Sequence, residues 1–243
     1  MIDAGTALLI ERGYGHGGEQ ITYRRVFDRI EQESGVVVAR AQVHGRIWAS
    51  QNDFQLDVLA ESCKPFVADG LQVAAEAALN AIQSVDRTEP DWQSRAVARA
   101  IRDGSFANVE ALMASPSWLL GRAIMSFHAL SSNRSDRVSE ALRSEYEASL
   151  SSWTNLFEAT AVGLGLRAKP WTRCTLAQVC RIAAQFADVL SDGVVARSRM
   201  LGETQIYSVE IAGDERAEWN ILGLGAWCVI DHLMEPDPEK ESG

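Results

Sequence analysis

The nineteen residues from Gly35 to Asp53, GVVVARAQVHGRIWASQND, constrain the fold of this chain more than any other stretch. A helix-stopping glycine opens the stretch. Ser50-Gln51-Asn52-Asp53 closes it as a helix start, with Asp where a capping box usually carries Glu. Ahead of the glycine, Thr22 is a good N-cap, and Ile21 and Val26 are spaced for a hydrophobic staple. Val26, Phe27 and Ile30 then repeat at helical spacing. Beyond the glycine, Ala39, Val43 and Ile47 form an i, i+4, i+8 inner stripe. That stripe turns Ala41, Gln42, His44 and Gly45 outward, with Arg40 and Arg46 on the shoulders. Gly45 costs a helix about 1 kcal/mol relative to alanine. It is read either as room for a close approach to a groove wall or as a helix end.

A helix, a tight turn and a short second helix with polar outer residues is the layout of a DNA-reading helix-turn-helix. Arginine and glutamine make paired bonds to guanine and adenine edges respectively. Arg40, Gln42, His44 and Arg46 are therefore the candidate contacts to bases or phosphates. Thr22, Tyr23, Arg24 and Arg25 lie at or near a helix start, where open N–H groups and the helix dipole suit a phosphate. The ordinary alternatives are a solvated helix face for the first set and plain capping for Thr22.

Charge sets a limit on this reading. The chain of 243 residues carries a net charge of −10, which argues against a general nucleic-acid coat. The first 60 residues hold six arginines against eight acids, net −2. DNA contact must then come from a local cluster, Arg24, Arg25, Arg29, Arg40 and Arg46. Lysine occurs only at Lys64, Lys169 and Lys240, so the positive charge is nearly all guanidinium, the better bidentate group. Cys63, Cys174, Cys180 and Cys228 are widely spread without a C-x-x-C pair, so they read as buried thiols and not as a metal or redox site. The start of the chain has no basic region followed by an apolar core, and no run of about 18 apolar residues occurs. A cytoplasmic protein with no membrane partner is expected.

The rest of the chain reads as almost all helix, with no internal repeat. Ile2–Arg12 ends at Gly13, and Gly15-His16-Gly17-Gly18 follows as a loop without the residues of a phosphate cradle. Pro65 and Pro90 are placed as helix openers, the second helix running to about Arg102. Ser115-Pro116 starts another helix, Asp136 to about Gly163 is one long helix, and Thr175-Leu176-Ala177-Gln178 is a capping box for a helix to about Leu201. Ile206–Ile211 includes a short extended piece, a last helix covers about Glu215–Met234, and a charged tail follows. The helices at 176–201 and 215–234 carry apolar residues on more than one face, and Gly223 and Gly225 leave room for another helix. A symmetric four-helix contact between two subunits would use that surplus. Trp118, Phe127, Tyr146, Trp153 and Phe157 are candidates to line an apolar ligand pocket, against core packing as the ordinary alternative. His128 and His232 have no partners at metal-binding spacing, so no metal is expected.

With these residues in view, the chain resembles the TetR family of transcriptional regulators. Ala4–Tyr14 is similar to that family's first helix, with Glu11, Gly13 and Tyr14 at its end; Thr22–Gly35 is similar to its second, and Ser50–Leu59 to the start of its fourth. The long helix with Trp153 and Leu156, Gly163-Leu164-Gly165-Leu166-Arg167, and the capped helix through Leu190-Ser191-Asp192-Gly193 to Arg197 are similar to its ligand and dimer domain. The second helix is about four residues longer than the family's, close to one turn, so the same face is kept. The family's aromatics at the end of the reading helix are replaced, with Trp48 nearest their place.

The resemblance implies an all-α protein with a three-helix helix-turn-helix head and an all-helical ligand-binding and dimerisation domain. Residues 1–60 would form the head, 61–235 the helical domain and 236–243 a flexible tail. Its members pair as two-fold homodimers through their last two long helices, and a small ligand usually releases the DNA. The expected function is a dimeric transcriptional regulator, most often a repressor, on a double-stranded DNA operator, released by a small apolar ligand and needing no cofactor. No Asp-rich pair, Glu-x-x-His or nucleophile motif supports a helical enzyme. The other reading is a helical dimeric interaction module whose acid-rich head no longer binds DNA.

Overall fold

The computed structural model describes residues 1–13, 21–64, 67–89, 91–130, 135–212 and 216–239. Tyr14, the glycine loop at 15–18, Pro65, Pro90 and the end of the tail lie outside them. Among the described residues the chain forms ten α-helices and two short antiparallel strand pairs. It divides into two compact units, Met1–Phe66 with Ser115–Glu147, and Val67–Ala114 with Ala148–Gly243. The first unit thus takes in Ser115–Glu147, which the sequence reading assigns to the helical domain.

The first unit is built by α1 (Ile2–Arg12), α2 (Tyr23–Ser34), α3 (Arg40–Val43), α4 (Gln51–Glu61), α7 (Pro116–Leu130) and the start of α8 (Asp136–Gly163). Its helix ends are set by local chemistry. The Thr22 hydroxyl accepts from the Arg25 N–H at 3.3 Å, and Ile21 and Val26, the staple pair, are both fully buried. Gly35 stops α2 at φ 70°, a left-handed conformation that costs glycine nothing, and its N–H donates to the Glu31 carbonyl. Ser50 caps α4 by accepting from the Asp53 N–H at 3.1 Å. Leu9, Val26, Phe54 and Val58 are completely buried together, each side chain contributing about 1.5–3 kcal/mol. Gly5 allows this packing, because a Cβ there would sit 2.8 Å from a Val58 methyl. Ser115 caps α7 through the Trp118 N–H, and His128 meets Ser139 at 2.8 Å.

The second unit contains α5 (Val67–Gln83), α6 (Trp92–Ala114), the rest of α8, α9 (Leu176–Leu201) and α10 (Ile221–Leu233). Helix α6 runs to Ala114 and not to about Arg102. Gly104, within it, lets α5 approach: a Cβ there would lie 3.2 Å from the Ala74 carbonyl oxygen. Strand β1 (Leu166–Ala168) pairs with β4 (Met234–Pro236), and β2 (Ile206–Val209) pairs with β3 (Ala217–Asn220). Two expectations change here. The last helix begins at Ile221, because 217–220 is drawn into the hairpin with β2 and Asn220 caps the helix through the Gly223 N–H at 2.8 Å. The start of the expected flexible tail is anchored: Arg167 grips Glu235 at 2.7 and 2.9 Å, and the Asp237 N–H donates to Gly165 at 2.8 Å.

Gly223 and Gly225 are spent within the chain. A Cβ on Gly223 would meet Ser105 of α6 at 2.5 Å, and one on Gly225 would meet Leu190 and Phe186 of α9 at 2.4 and 2.9 Å. Cys63 and Cys180 are buried as expected, and burial pushes both thiols up to about 12, so they stay neutral and unreactive. Cys174 is half-buried, and Cys228 departs from the expectation because it is exposed on α10. No helix among the described residues is long and apolar enough to cross a membrane.

Candidate nucleic-acid interface

The expected reading helix is a single turn. Helix α3 covers only Arg40–Val43, and His44 and Gly45 then turn the chain, Gly45 at φ 75°. The Gly45 N–H donates to the Trp48 carbonyl at 2.8 Å, closing a tight loop over 45–48. Gly45 is thus a helix end. Two members of the expected inner stripe do not face inward: Val43 is buried, but Ala39, the extended residue before the helix, is exposed and Ile47, inside the loop, is 63% exposed. Trp48 takes the inner place. Its ring packs edge-on to Phe54 at 4.7 Å, and its indole N–H donates to Asp57 at 2.6 Å. Arg137 pairs with the other oxygen of Asp57, so this tryptophan is braced into the core.

Tyr23 also turns inward. It is 2% exposed, its hydroxyl donates to the Ser50 carbonyl at 3.2 Å, and its ring stacks on Phe27 and Phe54. Burial raises its pKa, the Arg40 guanidinium opposes that, and Asp53 adds to it. Tyr23 is therefore a core residue that ties the first turn of α2 to the start of α4, and it presents no group to a phosphate. It does organise the surface above it. The Arg40 guanidinium lies over its ring at 5.9 Å, and His44 meets its edge at 6.1 Å. Arg40 and His44 are thereby brought to the N-terminal turn of α2, where Arg24 and Arg25 are both exposed.

Four polar side chains on or just after α3 reach solvent: Arg40, Gln42, His44 and Arg46. Gln42 is not fully free, because its carbonyl oxygen accepts from the Ala39 N–H at 2.9 Å and caps its own helix. Arg40 and Arg46 make no ion pair among the described residues. Arg24 lies 4.0 Å from Asp28 on an open surface, a weak pairing. Arg29 is withdrawn from the expected cluster: it bridges Glu11 at 2.7 Å and Glu33 at 2.8 Å. The hydrogen bond to Glu11, before the other contributions, pushes its pKa up.

The ligand candidates fall in different places. Trp118 is buried in the first unit under the Arg122 guanidinium, and Phe127 and Tyr146 of that unit are 52% and 39% exposed. Trp153 and Phe157, on the second unit's part of α8, are brought together, with ring centres 5.9 Å apart. An open cavity of about 450 Å³ in the second unit is lined by Asp91, Ser94, Glu210, Ile211, Ala212, Trp227 and Asp231, none of them a candidate from the sequence. Asp91 and Ala212 both have φ near 60°, which no sequence signal announces.

No protein-family profile matches the chain, and no curated protein matches it. A solved structure of a protein with unknown function from Rhodococcus sp. RHA1 aligns over 83% of this chain and 87% of its own, at 17% identity and a TM-score of 0.37. A likeness that low carries no argument about fold or function.

Proposed function

We propose that this protein is a homodimeric, DNA-binding transcriptional regulator of the kind its sequence resembles, with α1 to α4 as the reading head. The observation that carries this is the shared surface of two elements. Arg40, His44 and Arg46 stand exposed on α3 and the turn after it, and Tyr23 draws Arg40 and His44 to the N-terminal turn of α2 with its exposed Arg24 and Arg25. Cations beside an open helix N-terminus suit phosphates, and a short outward helix suits a groove.

Pairing of two copies is supported by α9. Its outward positions Ile182, Phe186, Val189, Gly193, Ala196 and Met200 form a mostly apolar stripe at helical spacing. Val189 and Met200 are 70% and 84% exposed, and none of the described residues covers them. A second copy of α9, with α10 beside it, would bury this stripe and set two heads on one duplex, about one helical turn apart. The paired rings of Trp153 and Phe157 are the best support for a small apolar ligand that releases the DNA.

The interaction-module reading keeps some support from particular residues. The reading helix is one turn long, Gln42 caps itself, and Arg29 is locked to Glu11 and Glu33. Salt separates the two readings. On a random-sequence duplex pool, affinity should fall with a log–log slope of about −7 if four guanidiniums per head each meet a phosphate. Fluorescence anisotropy between about 50 and 200 mM salt measures this. Absence of binding at the low end would favour the interaction module.

A further inference from the structure

The outer surface of the head is more apolar than a base-reading surface needs. Val36 and Val37, just before α3, are 54% and 71% exposed, Ile47 just after it is 63% exposed, and Ala41 on the turn itself is exposed. The hydrogen-bonding inventory of the same surface is thin. The carbonyl oxygen of Gln42 is held by the Ala39 N–H, and paired recognition of adenine would need that oxygen and the amide nitrogen together. The Tyr23 hydroxyl is held by the Ser50 carbonyl. A four-residue helix is only about 6 Å long, against a step of about 3.4 Å between base pairs, so α3 alone faces about two steps.

We infer that the head distinguishes its DNA mainly by apolar contact of Val36, Val37, Ala41 and Ile47 with thymine methyl groups in the major groove, while Arg40 and Arg46 hold the flanking phosphates. This rests on the DNA-reading proposal above and says which chemistry does the reading. The C5-methyl of thymine is the one apolar group that base pairs present in that groove, and small aliphatic side chains are its natural partners. Charge selects the occupant. Arg40 and Arg46, next in the chain to Ala41 and Ile47, are exposed and have no acidic partners among the described residues, which suits a polyanion carrying methyl groups. Among the described residues, aromatic anchors of the kind that dominate protein–protein contacts are missing from the exposed part of this surface, since Tyr23 and Trp48 are turned inward.

The test replaces thymine by uracil, which removes the methyl and leaves pairing and phosphates intact. The duplex recovered by selection from a random thymine-containing pool is resynthesised with deoxyuridine, and both forms are titrated with the full-length protein. Wild type is expected to bind the uracil duplex on the order of ten-fold more weakly, the loss of about two buried methyls. The Val37→Ser, Ile47→Ser double variant is expected to bind both duplexes alike, with the wild-type salt slope. Its substitutions lie at exposed positions, and an unchanged melting temperature verifies the fold. Equal wild-type affinity for the two duplexes would overturn the thymine inference and leave DNA binding standing. Failure to bind either duplex at low salt would overturn both.

Discussion

Gly193→Leu is expected to give a folded monomer that binds DNA on the order of 10²–10⁴-fold more weakly, by loss of the second head. Gly193 lies inside α9, midway along the outward stripe between Val189 and Ala196. A Cβ added there meets nothing within 4 Å in the chain itself. Leucine in place of an interior helix glycine should add about 0.5–1 kcal/mol to the helix, so the single chain gains stability. Only a second chain lying along the stripe would meet the new side chain. Sedimentation equilibrium should then give half the wild-type mass with a melting temperature that is not lowered. A Gly193→Leu protein that remains a dimer would show that the α9 stripe is not the interface. Gly225→Leu makes a sharp contrast, since its Cβ would strike Leu190 and Phe186 of its own chain.

Replacing Arg40 and Arg46 together by alanine is expected to lower DNA affinity about 10³-fold and to flatten the salt slope by about 3.6, the share of four guanidiniums in a dimer. Both side chains are exposed and neither makes an ion pair among the described residues, so stability should fall by no more than about 1 kcal/mol, the contact of Arg40 with the Tyr23 ring. The pair of readouts separates binding from folding. A double variant that keeps both the affinity and the slope of the wild type would remove these arginines from the interface.

The ends of most helices were legible in the sequence because caps are local. Thr22, Gly35, Ser50 and Thr175 each act on backbone groups within four residues, and each caps or stops its helix as read. What depended on distant partners was not legible. Residues 217–220 carry helix-compatible residues, and only the hydrogen bonds offered by Ile206–Val209 draw them into a strand. The same holds for Met234–Pro236, which pairs with a segment near residue 166.

At the candidate interface, the helical periodicity read from the sequence holds only over Arg40–Val43, and His44 and Arg46 are exposed because they lie in the turn that follows. The length of the reading helix was not legible, because Gly45 permitted two conformations and the bond from its N–H to Trp48 selects the turned one. Tyr23 could point to solvent or inward at the first position of a helix. The Ser50 carbonyl and the Phe54 ring, both across the turn, decide that it points inward.

Selection of bound duplexes from a random pool by the full-length protein tests the central claim most directly. The expected result is enrichment of a near-palindrome whose thymine-containing half-sites repeat about 10 base pairs apart, one per head. A pool that emerges with no sequence enriched, after rounds at low salt, would contradict reading of DNA by this head.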